Sequence, residues 1–306
     1  MIHTTSLDEL SLPQAWLTIG IFDGVHRGHR ALIKRLVEGS HEKGLPAVVL
    51  TFQPHPAVVL GKNKNFKSLT TMDERVAILK SLGVDIVIAQ RFSRTFANQT
   101  AGQFMEHLVR RLGLRHLVIG YDTALGRGRE GNAGFLASLG TKLGYEVEVV
   151  NPVYEGDGII SSGAIRSLIL EGDVEQANAL LGYPYAISGE VIHGDGRGRH
   201  INIPTANIDY PSDKCIPANG IYATWAWVQG KRFLGATNIG INPTFTPDKK
   251  VASLETHLLD FNQDLYGQQV KLEFIARLRE EMRFQSVEEL VRQINLDITR
   301  TRQILQ

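Results

Sequence analysis

The chain has 306 residues, of which 43% are hydrophobic and 21% are charged, so it is long enough for two domains with ordinary buried cores. Its 33 lysines and arginines are balanced by 32 aspartates and glutamates, which argues against a protein that tracks nucleic acid, since such proteins usually carry a basic excess. A single cysteine, Cys215, excludes an internal disulfide framework.

The N-terminal segment MIHTTSLDELSLPQ has no basic region followed by an apolar core, so it does not resemble a signal peptide. No later apolar run reaches the roughly 20 residues that a transmembrane helix needs. We therefore expect a cytoplasmic protein that engages neither membrane nor nucleic acid.

The first 150 residues alternate short apolar runs with helical patterns. Strands are predicted at 16–20, 47–52, 84–89, 116–120 and 147–150. Helices are predicted at about 28–41, 72–82, 101–112 and 132–143, two of them beginning at capping boxes, Thr71 with Glu74 and Thr100 with Gln103. Because strands that recur with a helix between them are typical of βαβ units, we expect an α/β domain with a doubly wound, Rossmann-like parallel sheet.

The pattern changes near residues 182–185, after a last helical stretch over 162–181. Alternating runs follow at 187–191, 221–228, 233–239, 253–261 and 270–278, with a hairpin turn at Gln229-Gly230. They indicate a small antiparallel β-barrel or sandwich. A closing helix is predicted after Ser286 and Glu289, with an apolar face formed by Val287, Leu290, Val291, Ile294 and Ile298. We place the two domains at 1–183 and 184–306.

The segment TIGIFDGVHRGHRALIKRL runs from a strand through a Gly-rich turn into a helix. Gly20, Gly24 and Gly28 let the backbone approach a ligand, and the helix start presents N–H groups that favour anions. His26 and His29 share one face of the first turn, where two imidazoles can donate hydrogen bonds to phosphate oxygens. The alternative is an ordinary strand–helix turn with two exposed histidines.

A second candidate phosphate site lies at the start of the helical stretch over 162–181. Ser161 and Ser162 offer hydroxyls and backbone N–H groups there, and Arg166 follows one turn later. A guanidinium suits a leaving pyrophosphate, because it stays charged and binds in a bidentate manner. The alternative is a serine N-cap with a solvated arginine.

The C-terminal half contains a loop rich in glycine and arginine. Gly194, Gly196 and Gly198 alternate with charged residues that include Arg197 and Arg199, so backbone N–H groups and guanidinium groups can cover phosphates. A flexible hairpin tip would have the same composition.

Oxygen-bearing side chains follow that loop. Thr205 and Asn207 are two residues apart, so in an extended segment both face one side and can hold Mg²⁺ or a phosphate group. Glu255 and His257 likewise share a strand face, and a carboxylate on the inner face of a barrel is costly unless it is functional or paired. The alternatives are a turn with an Asn cap and a solvated glutamate.

Taken in order, these motifs resemble the bacterial bifunctional riboflavin kinase/FAD synthetases over about residues 16–303. In the first half the matching segments are Gly20-Ile-Phe22-Asp23-Gly24-Val-His26-Arg-Gly-His29, Thr51-Phe-Gln-Pro-His55-Pro, Gly120-Tyr-Asp122 and the Ser-Ser…Ile-Arg run. In the second half they are the glycine–arginine loop, Pro204-Thr-Ala-Asn207, Asn238-Ile-Gly-Ile-Asn-Pro-Thr-Phe, Leu254-Glu-Thr-His-Leu, Leu265-Tyr-Gly and Leu278-Arg279-Glu-Glu-Met-Arg-Phe.

For the first half, the resemblance implies attack of FMN on the α-phosphate of ATP, which gives FAD and pyrophosphate. His26 and His29 would hold the ATP phosphates, and Ser162 with Arg166 the departing end. His55 would line the crevice between nucleotide and flavin, which suits an open α/β sheet with ligands at the strand C-termini. Further ligand contacts would come from Gly20, Phe22, Asp23, Gly24, Asp122 and Ser161.

For the second half, the resemblance implies phosphorylation of riboflavin by ATP. Glu255 would act as the general base for the riboflavin 5′-hydroxyl. Thr205 and Asn207 would hold Mg²⁺ or another divalent metal, and Arg279 would contact the flavin or close the site. Further contacts would come from Pro204, Asn238 and the glycine–arginine loop. The substrates are then riboflavin, FMN and ATP; self-association is left open.

The sequence departs from the family pattern at several positions: Ile21, Ile159, Gly163, 123–125, Asn202 and Ile203. At Gly163 a hydroxyl is missing, and Thr123-Ala-Leu125 lacks aromatic surface for a flavin. We therefore predict an active adenylyltransferase that binds FMN less tightly than its relatives, which titration of the protein with FMN measures. The alternative is that only the kinase half is fully active.

Overall fold

The computed structural model describes residues 2–63, 65–194, 198, 201, 203–241 and 252–306. Contacts divide the chain into two compact units, Met1–Ser162 and Gly163–Gln306. No helix within the described part of the chain is both long and apolar enough to cross a membrane.

A six-stranded parallel sheet forms the centre of the first unit. Its strands are β1 (Ile2–Thr4), β2 (Ala15–Ile19), β3 (Ala47–Gln53), β4 (Ile86–Arg91), β5 (Leu114–Gly120) and β6 (Glu146–Val150). They lie in the order β1-β4-β3-β2-β5-β6. The helices are α1 (Arg27–Glu42), α2 (Pro56–Val59), α3 (Met72–Ser81), α4 (Arg94–Ala97), α5 (Ala101–Leu112) and α6 (Ala133–Leu143). Short 3-10 helices lie at Leu7–Glu9 and Arg127–Arg129, and a small hairpin consists of β7 (Tyr154–Glu155) and β8 (Gly158–Ile159).

Both faces of this sheet are covered, which is why its central strands β2 and β3 are buried at almost every position and mostly apolar. One core cluster joins Leu17, Leu50 and Leu117 to Met105 and Leu108 of α5. The other cluster lies on the opposite face and joins alternate strand residues to helices α1 and α3: Trp16, Val49, Val87 and Val118 with Leu32, Ile33, Leu36 and Leu79. The predicted doubly wound architecture is confirmed.

The predicted strands and helices of this unit are all present, and both capping boxes form. The elements not expected from the sequence are β1, α2, α4, the two 3-10 helices and the hairpin of β7 and β8. Each of these elements has only two to four residues, too few for a hydrophobic period to show. β1 pairs with β4 at the edge of the sheet.

Two helices, α7 (Ser162–Glu171) and α8 (Val174–Leu181), precede the barrel. Apart from Ser162 they cluster with the second unit. Asn178 of α8 donates to the Phe274 carbonyl at 2.8 Å and accepts from the Tyr185 N–H at 2.6 Å. The contacts thus divide the chain after Ser162, whereas the predicted boundary lies after residue 183, and helices α7 and α8 account for the difference. The functional boundary near residue 183 stays a prediction.

The second unit is a closed antiparallel barrel, as the alternating pattern predicts. Its strands are β9 (Tyr185–Ile192), β10 (Ala206–Asp209), β11 (Gly220–Val228), β12 (Lys231–Ile241), β13 (Ala252–Leu258) and β14 (Gln269–Arg279), and α9 (Val287–Leu305) ends the chain. Around the barrel the order is β10-β13-β12-β11-β14-β9. At the predicted hairpin turn, Gln229 and Gly230 both have positive φ, as a type I′ turn requires.

The last helix differs from its predicted amphipathic pattern. Ser286 caps it by accepting from the Glu289 N–H, but the Glu289 carboxylate accepts from the Gln285 N–H, so the reciprocal bond of a capping box is missing. Val287, which was placed on the buried face, is 56% exposed, whereas Asp297 is only 3% exposed. An ion pair, described below, accounts for that burial.

Candidate active sites

Three of the predicted site segments meet at the carboxyl edge of the parallel sheet. Gly20 follows β2, His55 follows β3, and the segment Gly120-Tyr-Asp122 begins at the last residue of β5. These strands are neighbours in the order β3-β2-β5. Ligands of open α/β sheets bind at this edge, so the topology brings together side chains that lie about 100 residues apart in the chain.

His26 and His29 lie against each other at the start of α1. Their ring centroids are 3.7 Å apart, and the two ring planes are nearly parallel. His26 is the N-cap, and its Nδ1 accepts from the His29 backbone N–H at 3.4 Å. In the neutral imidazole this leaves Nε2 of His26 as the donor. His29 Nδ1 is buried and has no hydrogen-bond partner within the described residues, so this loop retains unused hydrogen-bonding capacity.

Burial keeps both imidazoles neutral. It lowers the pKa of His26 to about 4, against the opposing charges of Asp23 and Asp122. Burial also holds the pKa of His29 well below its usual range, and the neighbouring His26 and Arg75 add to this effect. Each ring therefore offers one N–H donor at pH 7 without a formal charge.

This neutrality predicts a loss of stability in acid. Because the folded pKa of His26 is depressed, the unfolded chain binds the extra proton, and stability falls as the pH decreases from about 6.5 towards 4. For a shift from 6.5 to about 4, the loss at pH 5 is about 2 kcal/mol. Urea unfolding measures the free energy of unfolding at pH 7.5 and at pH 5. We expect this free energy to fall less between the two pH values in His26→Asn than in the native chain, because asparagine keeps the N-cap but does not titrate. Equal losses in both proteins would contradict the assignment.

The loop before α1 adopts an unusual backbone. Phe22 and Val25 have φ values of 52° and 36°, although neither is glycine. Gly20 is required for packing, since a Cβ there would lie 2.9 Å from the Phe22 ring. Phe22 is buried and meets the His29 ring edge-on at 5.2 Å. Phe22 therefore positions the imidazole pair, at the cost of local strain of the kind found at functional sites.

The carboxylate of Asp23, which was expected to contact a ligand, is engaged within the protein, and the ligand contact stays a prediction. Its carboxylate is 2% exposed and accepts from the backbone N–H groups of Leu69 and Thr70 at 2.9–3.1 Å. It also pairs with Arg75 at 3.3 Å. The carboxylate thus fastens the histidine loop to the segment before α3.

Arg75 was not found from the sequence, although it is the buried cation of this network. It is 4% exposed and also contacts Thr70 and Thr51. Thr51 in turn donates to the Ile21 carbonyl at 2.9 Å, and Thr70 accepts from the Gly24 N–H at 3.0 Å. One available signal was the position of Arg75 four residues before the buried Leu79, on the core side of α3.

The serine segment joins the same loop. Ser162 Oγ donates to the Asp23 carbonyl at 2.8 Å. Ser161 is exposed beside it. Arg166 lies on α7, in the residues that cluster with the second unit. Contact of these side chains with a leaving pyrophosphate stays a prediction.

His55 caps α2 and carries an aromatic partner that the sequence did not indicate. Its Nδ1 accepts from the Ala57 N–H at 3.1 Å, and its ring stacks on Phe66 at 3.9 Å. Phe66 is half-buried. Aromatic surface is therefore present near the sheet edge despite the loss of aromatics at 123–125.

In the second unit, Glu255 lies at the centre of a polar row across three strands. In the antiparallel register it is opposite Asn207 of β10 and opposite Asn238 of β12. The expectation that Glu255 faces the barrel interior is wrong. Its neighbours Leu254, Thr256 and Leu258 fill the interior and are at most 5% exposed, whereas Glu255 is half-buried on the outer face.

The predicted metal ligands lie beside this carboxylate. Thr205 Oγ1 donates to Glu255 Oε2 at 3.4 Å. Gly194 is necessary for this arrangement, since a Cβ there would lie 2.2 Å from Asn207 Nδ2. Three oxygen-bearing side chains thus converge, the donor type that Mg²⁺ prefers. Mg²⁺ usually keeps few protein ligands and completes its shell with phosphate and water, so this donor set fits that ion.

Part of the glycine–arginine loop lies outside the described residues, namely Gly196, Arg197 and Arg199. Gly198 is described. It accepts a hydrogen bond from the Ile203 N–H at 2.8 Å, and a Cβ at 198 would lie 2.2 Å from the Ile203 carbonyl oxygen. The departure at Asn202 also lies outside the described part of the chain.

Arg279, expected to contact the flavin or close the site, makes a bidentate ion pair with Asp297 of α9. The shortest distance is 2.7 Å, and the Asp297 side chain is 4% exposed. This pair fastens the last helix to β14. Glu281, two residues further on, accepts from Asn219 Nδ2 at 3.0 Å.

Comparison with known proteins identifies both halves. The model of the FAD synthetase family matches residues 9–164, and that of the riboflavin kinase family matches residues 181–305. A bifunctional riboflavin kinase/FMN adenylyltransferase of Listeria monocytogenes is 39% identical, covering 98% of this chain and 95% of that protein. The Escherichia coli K12 protein of the same name is 40% identical over 92% of this chain and 90% of its own length.

A solved structure shows the same fold over the whole chain. It is a Streptococcus pneumoniae protein described as a macrolide-efflux protein, 33% identical, with a TM-score of 0.90 and 98% of both chains covered. Both halves of the present chain match enzyme families, so these comparisons give no support to the alternative in which only the kinase half is active.

Proposed function

This chain belongs to the family of bifunctional riboflavin kinase/FMN adenylyltransferases, and we propose that its two reactions are divided between the two sites described above. The second unit phosphorylates riboflavin with ATP to give FMN. The first unit transfers the adenylyl group of a second ATP to FMN and releases pyrophosphate. The observation that supports adenylyl transfer in the first unit is the stacked, neutral imidazole pair at the start of α1.

In the adenylyl transfer, a phosphate oxygen of FMN attacks the α-phosphorus of ATP. The bond from that phosphorus to the α–β bridging oxygen breaks, and pyrophosphate leaves. His26 and His29 donate N–H groups to the triphosphate, together with the N–H groups at the start of α1. Catalysis then rests on positioning and charge stabilisation, and the network of Asp23 and Arg75 supplies the positioning.

In the kinase reaction, the 5′-hydroxyl of riboflavin attacks the γ-phosphorus of ATP, and ADP leaves. Glu255 accepts the hydroxyl proton. Its half-buried place on the outer face suits this role, because substrate can reach it while Thr205 donates a hydrogen bond to its carboxylate. Thr205 and Asn207 would hold Mg²⁺, which would neutralise phosphate charge.

A product assay tests the division of labour. The purified chain is incubated with riboflavin, ATP and Mg²⁺, and FMN and FAD are separated by chromatography. We expect FMN to appear first and FAD to follow. FMN without FAD would favour the single-activity alternative, and the absence of both would contradict the proposal.

A further inference from the structure

One hydrogen bond from His257, a residue with no role assigned so far, holds the segment that carries Thr205. His257 Nδ1 lies 2.8 Å from the carbonyl oxygen of Pro204. Because a carbonyl oxygen only accepts, Nδ1 must carry the proton. His257 is on the same outer face of β13 as Glu255, two residues further along.

Within the described residues, few other contacts of this segment are present. The ladder between β10 and β13 consists of Ala206 with Thr256 and Asn207 with Glu255, so it ends before Thr205. Pro204 and Thr205 are both exposed, and proline has no N–H to donate. The imidazole of His257 therefore extends the attachment of this segment to β13 beyond the last ladder pair.

The position of that carbonyl determines the position of Thr205. The Pro204 carbonyl and the Thr205 nitrogen belong to one planar peptide unit, so a bond to the carbonyl also restrains the Thr205 Cα. Thr205 Oγ1 lies 3.4 Å from Glu255 Oε2. The His257 bond thereby controls the spacing between the carboxylate and the hydroxyl beside it.

We propose that His257 is a positioning residue of the kinase site. By donating to Pro204 it holds Thr205 where the threonine hydroxyl meets Mg²⁺ and the nucleotide phosphates. The inference rests on the proposed kinase role of this site. His257 itself touches neither substrate nor the reacting atoms.

Two substitutions test the proposal, with Mg²⁺·ADP affinity measured by calorimetry as the main readout. His257→Ala removes the donor, whereas His257→Asn keeps an N–H donor near the position of Nδ1. We expect His257→Ala to weaken Mg²⁺·ADP binding and raise the KM for Mg²⁺·ATP by about fivefold to tenfold, as for loss of one hydrogen bond. The change in kcat is expected to be smaller, and His257→Asn to restore most of the affinity.

Ser253→Ala is the matched control. Ser253 lies two residues before Glu255 on the same face and donates to another backbone carbonyl, that of Gly240, at 3.1 Å. We expect it to leave nucleotide affinity unchanged, and FAD formation from supplied FMN to be unchanged in all three variants.

The proposal is overturned if His257→Asn binds as weakly as His257→Ala, if neither changes Mg²⁺·ADP affinity, or if Ser253→Ala has the same effect. A native chain that binds Mg²⁺·ADP but forms no FMN would contradict the kinase function. The positioning role would still be decided by the calorimetry.

Discussion

Replacing Arg75 by methionine is expected to reduce FAD formation from FMN at least about 100-fold, because the histidine loop loses the cation that fixes it. The substitution removes the guanidinium that pairs with the Asp23 carboxylate, which is only 2% exposed. Breaking a buried ion pair in this way costs about 3 to 5 kcal/mol. The contacts of Arg75 described here all lie in the first unit, so FMN formation from riboflavin is expected to continue.

The matched control for Arg75→Met is Lys80→Met, which makes the same change of charge at an exposed position of α3. Both activities and the urea unfolding transition are measured for each variant. A second comparison uses the double variant Asp23→Asn/Arg75→Met. The added Asp23→Asn substitution removes the carboxylate charge that lost its partner, so we expect the double variant to recover part of the stability. Native FAD formation in Arg75→Met would show that the network does not position the histidines.

Much of this architecture follows from local sequence signals. The central strands of the parallel sheet are predicted because both of their faces are buried, which makes their sequences nearly continuous apolar runs. His26 and His29 are predicted to be neighbours because a helix brings residues three apart onto one face. The same reasoning places Gly20, His55 and Asp122 at one edge, since each follows a strand of one parallel sheet.

The role of Arg75 could not be predicted in this way. Arg75 contacts Asp23, which lies 52 residues earlier in the chain. The periodicity of apolar residues within a helix or strand gives no information about a pairing over that distance. The position of Arg75 one turn before Leu79 indicates the core side of α3, but it does not indicate which residue Arg75 pairs with. Asp23 was accordingly assigned to a ligand, although the fold directs its carboxylate to Leu69 and Arg75.

The orientation of Glu255 illustrates a different limit. Alternation correctly places Glu255 and His257 on one face, opposite Leu254 and Leu258, but it does not state which face is inside. The apolar partners decide this, because the barrel interior excludes unpaired charge. The functional importance expected of Glu255 was mistaken for evidence of burial.

The outer position of Glu255 leads to the largest expected effect on the kinase reaction. Glu255→Gln keeps the size of the side chain and an oxygen that can accept from Thr205. It removes the ability to take a proton from the riboflavin hydroxyl. Since a positioned general base contributes about 10²- to 10⁴-fold, FMN formation should fall by that factor.

Because only proton transfer is removed, Mg²⁺·ADP affinity and the unfolding transition of Glu255→Gln should remain close to those of the native chain, and FAD should still form from supplied FMN. Glu190→Gln provides the control, since it makes the same substitution at an exposed position of β9. The measurements are the initial rates of FMN and FAD formation with calorimetry of Mg²⁺·ADP. Weaker nucleotide binding with an unchanged kcat would instead make Glu255 a binding residue, because a group that acts only in the transition state affects kcat and leaves ground-state affinity intact.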